Sequence, residues 1–212
     1  MKTKNTLIYL LLLFIFSCQK EEGFYNMNLV KAETYLKDKT HGGAYDTPSI
    51  ILTFKFQNNT NNYTFFSTKQ SNDDKRNLSH LYLLDTLKNQ VIEIYSGDRP
   101  VIKPKTNIDV EGIIEIRDFK NYFELDDNFL NKKDFSKDEK LIEAKVNKLL
   151  NNSIILYVQD SSDIESFLFF NRDNLPITAI GDNIVVKVKK QIIKSKIYTP
   201  RKLKKLREIK RT

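Results

Sequence analysis

The chain has 212 residues, 40% of them hydrophobic and 29% charged, which suits one large domain or two small ones with a real core. Fourteen Phe and ten Tyr without Trp point to a β-rich body. Five Pro and six Gly exclude a collagen-like or low-complexity chain, and a single cysteine excludes an internal disulfide. The net charge of +8 is unevenly placed: residues 1–17 carry two lysines and no acid, residues 187–212 carry twelve basic residues and one acid, and residues 18–186 therefore bear −5. That is the pattern of a mildly acidic body with a basic tail.

Lys2 and Lys4 precede ten apolar residues, Leu7 to Phe16. A membrane-spanning helix needs about 20, so residues 1–17 read as a secretory signal peptide. Ser17 is the small residue expected before a cleavage site, and Cys18 follows it. A small residue and then cysteine at the end of such a run resembles the lipobox of bacterial lipoproteins. The resemblance implies cleavage between Ser17 and Cys18, a diacylglyceryl group on Cys18 and a membrane partner through that lipid. No other cofactor is expected. Next come Gln19, Lys20, Glu21 and Glu22, a run that resembles the surface export signal of Bacteroidota lipoproteins. It implies an outer-membrane address, lipid-anchored and exposed at the cell surface.

Residues 18–28 are expected to be the lipidated N-terminus and tether, and 29–198 the folded domain. Leu29 to Leu36 fits a first strand or a short helix. Ile50, Leu52, Phe54 and Phe56 alternate with polar residues, the period of a half-buried strand. The QNNTNN cluster at 57–62 is a turn, and 63–68 returns as an antiparallel hairpin or a corner. Residues 81–85 and 90–96 read as a second hairpin, and 96–106 as a long loop. Ile108, Val110, Gly112, Ile114 and Ile116 form the clearest alternation in the chain.

Ser136 to Glu139 is a capping-box pattern. It opens a helix whose Leu141, Ile142, Lys145, Val146, Leu149 and Leu150 share one broad face, with Asn151 and Asn152 to end it. Strands resume at 153–159, 166–171 and 183–190. The fold class expected is mainly β: an antiparallel β-sandwich, immunoglobulin-like by strand number and spacing, with one inserted α-helix. A lipocalin-like barrel is the alternative.

No catalytic or metal-binding residues are expected. His41 and His80 lack a partner ligand at metal spacing on their own elements. The acidic clusters at Asp73-Asp74, Glu124 to Asp127 and Asp160 to Glu165 lack the glycine and terminal glutamate of a dedicated calcium loop, and solvated carboxylates explain them. Asp85-Thr86-Leu87 resembles the O-glycosylation acceptor of exported Bacteroidota proteins, and a hairpin connection explains it more simply.

The tail, 199–212, carries Arg201, Lys202, Lys204, Lys205, Arg207, Lys210 and Arg211 as candidate anion-binding residues. Thr199 and Pro200 suit a helix start. The partners expected are an anionic glycan, lipopolysaccharide or an envelope protein. Nucleic acid is not expected, because the tail has no aromatic residues for base stacking. The function expected is a non-enzymatic surface module that binds a glycan or protein ligand. The alternatives are an accessory or immunity-type subunit of an envelope complex, and a hydrolase on a β fold.

Overall fold

The structure is a computed structural model that describes residues 23–36, 49–66, 80–97, 100–115, 122–124, 139–159 and 184–198. The stretch read as a signal peptide, Cys18, the residues read as a sorting signal (19–22), His41, the strand expected at 166–171 and the basic tail lie outside them. In chain order the described elements are β1 (Tyr25–Tyr35), β2 (Ser49–Asn58), β3 (Thr64–Phe65), β4 (His80–Asp85), β5 (Gln90–Ile94), β6 (Val101–Ile102), β7 (Asn107–Glu115), α1 (Glu139–Asn151), β8 (Ser153–Gln159), β9 (Ile184–Lys187), β10 (Lys189–Lys190) and β11 (Lys196–Tyr198). No helix among the described residues is long and apolar enough to cross a membrane.

Among the described residues the chain folds as a β-sandwich with one helix. One sheet has the order β10-β1-β2-β7, with β11 also on β1; the other has the order β5-β4-β8-β9. Period-two patterning builds both. In β2, Ile50, Leu52, Phe54 and Phe56 are wholly buried, while Lys55 between them is exposed. β7 pairs antiparallel with β2, setting Ile114 opposite Ile50, Gly112 opposite Leu52 and Val110 opposite Phe54, so the apolar sets of both strands face the same core. In the second sheet Leu81, Leu83, Ile155, Tyr157, Ile184 and Val186 point inward. Phe56, Phe66 and Tyr157 meet between the layers, with Phe66 stacked on Tyr157 at 4.8 Å and Phe56 edge-on to it at 5.7 Å.

β1 contains a bulge between Leu29 and Lys31. Met27 and Leu29 face the core before it, and Ala32, Thr34 and Leu36 after it. Strict alternation from Leu29 would have turned Lys31 and Glu33 inward. The extra residue, Val30, shifts the phase by one and keeps both ionised groups off the core.

The sheets are joined at both edges. The stretch 184–190 passes from one to the other: β9 pairs with β8, the Val188 N–H donates to Ile155 O at 2.8 Å, and β10 pairs parallel with β1. At the far edge Tyr95 and Ile113 exchange two backbone hydrogen bonds. A single bridge is not a ladder, so the sandwich does not close into the barrel named as the alternative.

Several expectations are refined. β1 begins at Tyr25, inside the stretch read as tether. Residues 63–66 turn a corner rather than form a hairpin, because β3 leaves β2 and pairs with β6, a short strand within the stretch read as loop. The helix buries Ile142, Val146, Leu149 and Leu150, but Leu141 is 51% exposed and lies off the packed face.

Candidate functional site

The β4–β5 hairpin turn supplies one wall of a cleft. Asp85 is buried, and its Oδ1 accepts the N–H of Leu87 at 2.7 Å and that of Lys88 at 3.4 Å, an Asx turn that fixes the loop from within. Asn89 closes the turn in the left-handed region, with φ of 52°, which asparagine tolerates well. The Thr86 hydroxyl donates to Asn152 O at 2.5 Å. The turn is thereby tied to the C-terminal end of α1, and the hydroxyl of Asp85-Thr86-Leu87 takes part in the tie.

The second wall is α1, and the floor is the short stretch 122–124. Tyr122 and Phe123 are buried with their rings 5.2 Å apart and nearly perpendicular. Two lysines hold this stretch by its carbonyls. Lys88 Nζ donates to Tyr122 O and lies 4.2 Å from the centre of the Tyr122 ring, a cation–π distance. Lys145 Nζ donates to Phe123 O from the helix. Lys148, in the last turn of α1, completes the rim.

The cleft encloses about 370 Å³ and is lined also by Leu87 and Leu149, a volume within the range of small-ligand sites. Each ammonium carries three donors, so the carbonyl bonds of Lys88 and Lys145 leave further donors on both. Among the described residues, the acids lining the cleft are Asp85, committed to the turn, and Glu124, exposed. The arrangement suits a ligand with a negative group for the lysines and a flat or apolar face for the Tyr122 side.

A second hollow, of about 480 Å³, lies among Phe24, Tyr25, Asn59 to Asn62 and Lys105. Its organiser is the wholly buried Asn58. The Asn58 amide donates to Asn62 O at 2.8 Å and Lys103 O at 3.2 Å, and its Oδ1 accepts Thr60 N–H at 2.9 Å and the Thr60 hydroxyl at 2.7 Å. The NNTNN cluster is thus a turn folded around one of its own side chains.

Strand direction sets the cleft and the hollow at opposite ends. β8 is antiparallel to both β4 and β9, and β10, which continues β9, is parallel to β1. β1 and β4 therefore run the same way. The hollow lies where β1 begins, and the cleft where β4 ends. Tyr198 pairs with Tyr35 at the end of β1, so the basic tail starts from the cleft's end.

The sequence-based site residues, Cys18 with its neighbours and the seven tail cations, all lie outside the described residues. Lys88, Lys145 and Lys148 were not singled out as site residues; the available signal was Lys145, a lysine on the apolar face of the helix. Among the described residues no group of three or more His, Cys, Asp or Glu is placed to hold a metal ion. No protein-family model matches the chain, and neither a curated protein nor a solved structure is similar to it.

Proposed function

We propose that the protein is a lipid-anchored outer-membrane module, exposed at the cell surface, that binds an acidic glycan without transforming it. The observation that carries this reading is the position of the lysine cleft. Three ammonium groups surround a site of small-ligand size, at the end of the sandwich opposite to the one where the chain arrives from Cys18. A module held to a membrane by its N-terminus would present that end outward. The last described strand ends at Tyr198 at this same end, and the sequence after it carries the seven cations from Arg201 to Arg211.

The test is binding of the full chain to acidic and neutral oligosaccharides of matched size at low and high salt. Acidic sugars are expected to bind, and added salt to weaken them as it screens exposed charges. Replacing Lys145 and Lys148 together with Gln is expected to cost about tenfold or more, the value of one charge-assisted hydrogen bond. Equal binding of neutral and acidic sugars, or no binding of either, would sink the reading.

The second reading, an accessory subunit, is favoured by Val185 and Ile192, two large apolar side chains exposed on β9 and on the stretch between β10 and β11. Its expected signature is a second envelope protein that cross-links at these two positions.

A further inference from the structure

We propose that the Phe24 end of the sandwich docks on the phosphate-bearing lipid surface that holds the anchor, so that the body stands upright with the lysine cleft outward. The proposal rests on the reading of Cys18 as the lipid attachment point.

Reach is the first argument. Phe24 is six residues after Cys18, and six extended residues span roughly 20 Å at most. A lipid on Cys18 therefore keeps Phe24 within a short distance of the headgroups, whatever path the tether takes.

An aromatic ring is also held out into solvent on a fixed backbone. Phe24 is 78% exposed. The Asn59 N–H donates to Phe24 O at 2.8 Å, and the Asn59 side-chain amide donates to Gly23 O at 2.9 Å. The buried Asn58 turn holds Asn59 in turn. Among the described residues nothing covers the ring, and the loop beside it presents exposed Asn61 and Asn62. An apolar ring with polar surroundings at a fixed edge is suited to the boundary between headgroups and acyl chains.

Charge is the third. Lys105 Nζ donates to Asn59 O at 2.5 Å, which keeps its ammonium at this end, and Lys105 is the charged residue among those lining the hollow. Lys103 is exposed on the same loop. Lys189 reaches Asn26 Oδ1 at 3.0 Å from β10. Three lysines at the end that carries this phenylalanine match a surface of lipid phosphates, which attract cations over about a Debye length.

The chain suits a direct test because it has no Trp and a single Cys. Phe24→Trp installs one fluorescent reporter. The Cys18 thiol couples the mature chain, which contains every described residue, to a maleimide lipid in vesicles of phosphatidylcholine and phosphatidylglycerol. The coupling reproduces the anchor whether or not a cell lipidates Cys18, so failed fatty-acid labelling in cells and failed docking here are separate results.

Docking predicts emission at shorter wavelength and quenching by brominated acyl chains for the Phe24→Trp reporter. A Leu87→Trp reporter at the opposite end is expected to keep its solution spectrum. Lys103→Glu with Lys105→Glu, or vesicles of phosphatidylcholine alone, should reduce the shift. As a second measurement, Phe24→Ser in the uncoupled Cys18→Ser chain should lower affinity for the anionic vesicles about tenfold, the scale of one buried phenylalanine. The proposal is overturned if the Phe24→Trp reporter keeps its solution spectrum on tethered anionic vesicles, or if the Leu87→Trp reporter responds as strongly.

Discussion

The Tyr198 hydroxyl donates a hydrogen bond to Oε1 of Glu33 at 2.9 Å, which joins the last described strand to the first. The Tyr198 ring stacks on Tyr35 at 4.9 Å, and Lys31 Nζ contacts the other carboxylate oxygen at 2.8 Å. The bulge at Val30 makes this grouping possible, because it turns the face shared by Lys31, Glu33 and Tyr35 away from the core. Burial pushes the Glu33 carboxyl up, but hydrogen bonds from Lys31 and Tyr198, with the charges of Lys31 and Lys196, outweigh it and hold the group below its ordinary value.

A lowered carboxyl stabilises the fold above the unfolded-state pKa, and that stability is lost as pH falls through the folded value. Stability is therefore expected to decline on acidification below about pH 4.3, the ordinary glutamate value. Tyr198→Phe removes one of the lowering bonds and should cost about 1 kcal/mol near neutral pH. The gap to the parent should narrow as acidification protonates Glu33 in each protein. Denaturant melts between neutral pH and pH ~3 read this directly. A gap that stays constant across the range would show that the bond does not depend on the charge.

Gly112 is needed for closeness rather than for turning. It faces Leu52 across β2, and a Cβ built there would lie 2.5 Å from Ile94 Cγ2 and 3.1 Å from Phe54 Cε2. The position therefore lets the two layers approach beside the Tyr95–Ile113 bridge. Gly112→Ala is expected to lose about 1–3 kcal/mol as an overpacked core, measured by equilibrium unfolding. The penalty should shrink in an Ile94→Ala background, since the two sites share the contact.

Asn151 joins the helix to the segment between β10 and β11. Its Oδ1 accepts the Ile193 N–H and its amide donates to Ile193 O, both at 3.1 Å, while Asn147 Oδ1 accepts the Ser195 N–H at 2.7 Å. Two asparagines one helical turn apart thus stand in for a neighbouring strand. Asn151→Ala should cost about 1–3 kcal/mol by leaving Ile193 unsatisfied. Hydrogen exchange should quicken at Ile193 and Ser195 while β2 and β7 stay protected. Unchanged exchange at Ile193 would argue against the link.

The strands with clean alternation were legible. β2, β7 and β8 fall where their period places them, because burying one face of a sheet leaves the sequence little choice. The helix was legible from its spacing, although Leu141 was assigned to the packed face when only Ile142, Val146, Leu149 and Leu150 pack. What escaped depends on tertiary partners. β6 and β11 are two and three residues long, too short for periodicity, and exist because β3 and β1 offer edges to pair with. The bulge at Val30 breaks the alternation of β1, which left strand and helix both open for Leu29 to Leu36. The cleft escaped because Lys88, Tyr122 and Lys145 are far apart in sequence and each is ordinary alone.

The anchor and address proposed for residues 16–22 can be tested separately. If Cys18 bears the lipid, Cys18→Ala should abolish fatty-acid labelling and release the protein from membranes, since acyl chains stabilise anchoring by about 0.8 kcal/mol per buried methylene. Replacing Lys20, Glu21 and Glu22 with Ala should leave labelling intact but remove the protein from the cell surface, so that protease added to intact cells no longer reaches it. The two variants separate anchor from address. Labelling that survives Cys18→Ala refutes the anchor, and cleavage that survives the triple replacement refutes the sorting role. The fold should be unchanged in all of them, because β1 begins at Tyr25 and the sandwich is built from residues beyond the substituted ones.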